Sequence, residues 1–132
     1  MSTFLNIQRA LDKRLAAMPN RPAIAWPNTK FTSQNETLYL RPTMLPAQSS
    51  LYTLNDVHRN PGIYQIDIFC ALEKGVSAAL TMADEIIDFF EEDRSLTAGV
   101  DTVYIQSCGV SAGERQESWY RVYVEIAYVC FS

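Results

Sequence analysis

Residues 59–94 read RNPGIYQIDIFCALEKGVSAALTMADEIIDFFEEDR, and this stretch decides the fold. Pro61-Gly62 marks a turn. From Tyr64 to Cys70 the residues alternate. Tyr64, Ile66, Ile68 and Cys70 fall on one side, Gln65 and Asp67 on the other, as in a half-buried strand. After Gly75 the period changes. Val76, Ala79, Leu80, Ala83, Ile86, Ile87 and Phe90 recur at the spacing of one helical face, opposite Thr81, Asp84, Asp88, Glu91 and Glu92. A strand with one apolar side followed by a helix with one apolar stripe predicts a packing unit. Neither element can bury its surface without the other.

Working outward, Ser2 or Thr3 can cap a first helix whose stripe is Phe4, Ile7, Leu11 and Leu15. Pro19 and Pro22 end it near Met18. Ala23 to Trp26 reads as a short strand. Asn28 to Glu36 reads as a polar loop, longer than most connections in compact domains. Thr37 to Arg41 and Leu51 to Leu54 read as strands. Between them, Arg41 to Ser50 carries Pro42 and Pro46, which demote it to an edge or an extended arm. After the second helix, Thr97-Ala98-Gly99 resets the chain. Asp101 to Cys108 is a strand and Gly109 to Gly113 a loop. Gln116 to Phe131 carries the strongest strand pattern. Tyr120, Val122, Val124, Ile126, Tyr128 and Cys130 form its apolar side, and Trp119, Arg121, Tyr123 and Glu125 stand on the other. The expected architecture is α+β: a mostly antiparallel sheet of five to six strands with two helices packed on one face, residues 1–132 forming one domain.

The 132 residues are 48% hydrophobic and 20% charged, which argues against disorder, and the net charge of -4 offers no basic footprint for nucleic acid. No apolar run is long enough for a membrane-spanning helix. The amphipathic N-terminus does not read as a signal peptide. Cys70, Cys108 and Cys130 lie in apolar strand contexts without C-x-x-C spacing, so they read as reduced, buried side chains.

Catalytic patterns are missing. His58 is the single histidine, in a turn beside Arg59 and Asp56, and spacing brings no cysteine or serine to it. Asp84, Glu85, Asp88, Glu91, Glu92 and Asp93 read as a solvated helix face, because one face cannot supply the cage of oxygens a hard cation requires. No phosphate-binding glycine pattern and no H-E-x-x-H occurs. The residues therefore predict no enzyme, no cofactor and no metal.

Arg59, Pro61, Gly62, Tyr64, Gln65, Ile66 and Ile68, then Gly75, then Ala83, Asp84, Ile86 and Phe89 or Phe90, resemble the tail terminator-like proteins of long-tailed phages, of the lambda type. The resemblance extends to the N-terminal helix and to the last strand, beginning near Trp119. It implies a structural virion protein, assembled in the host cytoplasm and placed at the head–tail junction. There it would form a ring with itself, hexameric as a rule, on the end of the tail tube. It would stop polymerisation of the tail tube protein and offer a surface to the head-side connector. DNA would pass through such a ring without specific binding, helped by negative charge, and no membrane would be involved. The alternatives are another neck or tail-completion protein or, from a different class, a small α+β ligand-binding protein or enzyme. Interface hot spots favour Trp, Tyr and Arg, so Arg41, Trp119, Arg121 and Tyr123 are the expected contacts.

Overall fold

A computed structural model describes residues 3–27, 29–32, 38–51, 57–72, 76–116 and 119–132. The expected strand Leu51–Leu54 is therefore described only at Leu51, and the expected loop Asn28–Glu36 only at 29–32. In chain order the elements are α1 (Thr3–Ala16), β1 (Ala23–Ile24), β2 (Leu38–Pro46), β3 (Ser50–Leu51), β4 (His58–Ala71), α2 (Val76–Glu92), β5 (Ser95–Ala98), β6 (Asp101–Gln116) and β7 (Trp119–Phe131).

The strands form one sheet in the order β1-β2-β4-β7-β6-β5, with β3 beside the start of β4. It is α+β as expected, but the sheet is mixed where a mostly antiparallel one was expected. β1 pairs with β2 in parallel and the remaining ladders are antiparallel. The connection 25–37 makes the parallel pair possible, since such a return needs about a dozen residues. The described residues give seven strands, not five to six. The additional strand is β5. Its turn into β6 puts Gly99 at φ 67, a conformation that two-residue hairpin turns demand and glycine adopts without strain.

The Pro61-Gly62 and Gly109–Gly113 signals were read too strongly as breaks, whereas the edge reading of Pro42 and Pro46 holds. β2 runs through Pro42 to Pro46, paired with β4 throughout. The Ala25 N–H donates to the Leu40 carbonyl at 2.7 Å, so even-numbered residues of β2 turn their backbone groups away from β4. Both prolines occupy that phase. β1 covers only Tyr39 and Leu40, so the missing N–H groups fall on an open edge, where proline is tolerated. Pro61 also lies inside a strand, and its carbonyl accepts from the Ala47 N–H at 2.9 Å. Gly62 beside it has a packing role, because a Cβ there would overlap the Tyr128 hydroxyl. Likewise Gly109 to Gly113 is not a loop. It lies within β6, paired to β7 through register shifts at Ile105/Ser107 and Ser111/Glu114. A bulge inserts a residue and twists the strand without ending it.

The core lies between the helices and the even-numbered side of the central strands. Tyr64, Ile66, Ile68 and Cys70 of β4 and Val122, Val124, Ile126, Tyr128 and Cys130 of β7 are buried there. Ile7, Ala10, Leu11 and Leu15 of α1 join them, with Ala79, Met82, Ala83, Ile86 and Phe90 of α2. Both expected helix stripes are buried at most of their positions, Ile7, Leu11 and Leu15 in α1 and Ala79, Ala83, Ile86 and Phe90 in α2, and each departs at one residue. Phe4 is 45% exposed and Leu80 44% exposed, while Met82 takes the inward place. The acidic end of α2 has no basic residue in its own last turn. Arg14 of α1 reaches it instead, donating to the Phe89 carbonyl, lying 3.6 Å over the Phe89 ring and standing 3.7 Å from Glu92. A cation at a helix C-terminus is favourable, and here it also pins α1 to α2. Under α1, Tyr64 donates to Asp12. Burial raises the Asp12 carboxyl above its usual range, against the opposing pull of that hydrogen bond.

Candidate interaction surface

The odd-numbered side of the same strands faces away from the helices. Its centre is Asp67, whose neighbours along β4 are Ile66 and Ile68. The residue is 1% exposed although it belongs to the outer side of the sheet. A buried carboxylate requires charged partners, and two adjacent strands deliver them. Register places Arg41 of β2 and Tyr123 of β7 directly opposite Asp67. Arg41 donates to Oδ2 through Nε at 3.2 Å and Nη2 at 3.0 Å. From two positions along β7, Arg121 donates to Oδ1 through Nε at 3.0 Å, with Nη2 also at 3.0 Å. The Gln65 side-chain amide adds a bond to Oδ1 at 3.0 Å. Arg121 continues to Glu114 of β6. Four strands thus contribute to one ion network. Burial pulls the Arg121 guanidinium down, but the charges and hydrogen bonds of Asp67 and Glu114 outweigh it and raise it.

Aromatic rings frame the network. Arg41 lies 4.9 Å over the Phe69 ring and Arg121 4.7 Å over Tyr123. Tyr39 stacks on Phe69 at 4.8 Å and meets Trp119 edge-on at 5.0 Å, and Phe31 approaches Tyr39 at 5.0 Å. Guanidinium groups held by a carboxylate and sandwiched on rings have lost most of their rotamer freedom already. Such a face can meet a partner at little further entropic cost.

The structure brings Arg41, Trp119, Arg121 and Tyr123, expected as contacts from sequence, onto this one side of the sheet. Sequence reasoning missed Asp67 and Glu114, which hold the arginines, and Tyr39 and Phe69, which flank them. The available signal was an acid in the middle of an apolar strand.

The remaining candidates separate. His58 is exposed at the start of β4, whereas Cys70 and Cys130 are buried and Cys108 half-buried, and none of the three forms a disulfide. Burial pushes the Cys130 thiol up to about 11. Asp84, Glu85, Asp88, Glu91, Glu92 and Asp93 are exposed, with Glu91 paired to Arg94 at 2.7 Å. Among the described residues no group of three His, Cys, Asp or Glu side chains is placed to hold a metal ion, and no helix is long and apolar enough to cross a membrane.

The family model described as phage tail terminator protein matches residues 6–128. The chain belongs to the phage tail terminator family. The match spans α1 to β7, so the ion network and its aromatic frame lie inside the family domain. No curated protein matches the chain. It is similar to a solved structure at 26% identity and a TM-score of 0.77, covering 98% of this chain and 96% of that one. As a tail terminator family member it is a structural component of phage tails.

Proposed function

We propose that the protein forms a ring on the head-proximal end of the tail tube, ends tube polymerisation and presents a surface to the head-side connector. The observation that carries this reading is the side of the sheet around Asp67, which the two helices leave uncovered. It combines arginines with aromatic rings, as interface hot spots do. A surface of that kind fits docking between proteins better than turnover of a small molecule, which favours concave, mostly apolar sites. Arg41, Trp119, Arg121 and Tyr123 are the proposed contacts, toward a neighbouring copy, the tube protein or the connector. Assembly in the host cytoplasm, a place at the head–tail junction and passage of DNA through the ring without specific binding complete the proposal.

The test is genetic. Phage lacking this protein should build tails of uncontrolled length that fail to join heads, and supplying the protein in trans should restore them. Tails of normal length that join heads without it would refute the proposal.

A further inference from the structure

The helices cover one side of the sheet and divide charge between them. α2 carries five acids and no base, whereas α1 carries Arg9, Lys13 and Arg14 against the single acid Asp12. Asp84, Glu85 and Asp88 of α2 and Arg9 and Lys13 of α1 are exposed, and none of them forms an ion pair among the described residues. The helix side thus shows an acidic ridge and a basic one, joined where Arg14 meets the end of α2. Asp84, Asp88 and Glu92 follow one another at four-residue steps, a spacing at which like charges repel. Within one copy the acidic ridge therefore costs helix stability and returns nothing.

The outer side of the sheet has two charged flanks as well. Asp67 and Arg121, at the middle of the ion network, are largely buried and show little charge to solvent. What reaches solvent is Arg41, its side chain 46% exposed, on the β2 flank, and Glu114, 61% exposed, on the β6 flank. Half-buried Glu125 of β7 lies on the same flank as Glu114, opposite Gly109 of β6. Arg41 commits Nε and Nη2 to Asp67, which holds the exposed remainder of its guanidinium in place for a further acceptor.

We infer that the helix side of one copy docks on the outer side of the sheet of the next, with the acids of α2 against Arg41 and the bases of α1 against Glu114 and Glu125. The occupant is a second copy because one chain carries both halves of the charge pattern, an acidic ridge beside a basic one and a basic flank beside an acidic one. The two halves face opposite ways from a single sheet, so they cannot meet within one molecule. Charge of this kind selects the partner and its orientation more than it adds affinity. The apolar area comes from the rings beside Arg41 and from exposed Leu80, one turn before Asp84. The contact joins copies head to tail and closes into a ring when its rotation closes. The inference rests on the ring proposed above and assigns the two faces of its seam.

The experiment is sedimentation and negative-stain imaging of the full chain, alone and with tail tubes. Wild type is compared with two double variants, Asp84→Lys with Asp88→Lys and Arg9→Glu with Lys13→Glu. All four side chains are exposed and outside any ion pair, so both variants should melt as wild type does. Each should weaken ring formation about tenfold or more, since like charges then meet across the contact. A photo-crosslinker attached at Thr43→Cys, two residues from Arg41 on the same side of β2, should capture α2 of a second copy. Capture of the tube protein, or of the outer side of another copy, in its place would overturn the contact. So would rings formed by either double variant as readily as by wild type, and these results leave the ring itself standing. Absence of rings from wild type under both conditions would overturn the ring and the contact together.

Discussion

The two sides of β4 differ in how they are held, though they share one backbone. On the inner side Tyr64, Ile66 and Ile68 are buried by α1, α2 and each other, and non-directional apolar burial does the work. On the outer side Asp67 is equally buried, but by directed bonds from Arg41, Arg121 and Gln65. Apolar packing tolerates substitutions that keep volume. The ion network tolerates none that removes a single member, yet replacing all its members together can be harmless, since desolvation nearly cancels the attraction of a buried pair. The inner side therefore stabilises the fold, and the outer side fixes the geometry of a surface.

This comparison breaks first at the core. Phe90→Ala should cost about 3–5 kcal/mol in chemical denaturation, by lost transfer energy and the cavity left behind. Asp67→Ala comes next, at about 3 kcal/mol, because two cations lose their counter-charge and Arg41 alone can turn readily to water. The sharper version replaces the network by Arg41→Met, Asp67→Leu and Arg121→Met together. Stability should return to within about 1 kcal/mol of wild type while assembly stays lost. Recovery of assembly along with stability would show that the outer side matters for folding only.

Smaller effects refine the picture. Leu80→Ala should cost less than about 1 kcal/mol, since that side chain is 44% exposed. Asp12 supplies a pH signature. Its carboxyl is raised by burial, so the folded state holds the proton more tightly than the unfolded chain does. That contribution is complete below the unfolded value of 3.8 and is lost as pH rises through the raised folded value. Asp12→Asn should accordingly gain on wild type in melting temperature between pH 3 and pH 7. Thiol labelling gives the smallest readout. Cys108 should react first and slowly, its thiol raised by burial and by Glu91 against the opposing effect of Arg94, and Cys70 and Cys130 should react only on unfolding.

The inner side was legible in the sequence and the outer side only half so. Strict alternation in β4 and β7 identifies which residues face the core without any knowledge of partners. It also assigns Asp67 to the other side, but not its burial, because the arginines that bury it come from 26 and 54 residues away. The ladder to β7 likewise overrides local preference at Gly109 to Gly113, where glycine and serine suggest a loop. Pro42 and Pro46 fit a strand once one flank of β2 is known to be open. The exchange of Leu80 for Met82 in the α2 stripe has a plainer origin. Leu80 and Met82 are both apolar, and periodicity alone does not choose between them.

The central claim is that this tail protein caps the tube at the head–tail junction as a ring. A cryo-electron reconstruction of the virion tests it most directly. The account predicts a single ring of this fold between the last tube ring and the connector, with the Asp67 side of the sheet buried against a neighbour. Density for the chain anywhere else in the particle, or at the junction with that side open to solvent, would contradict it.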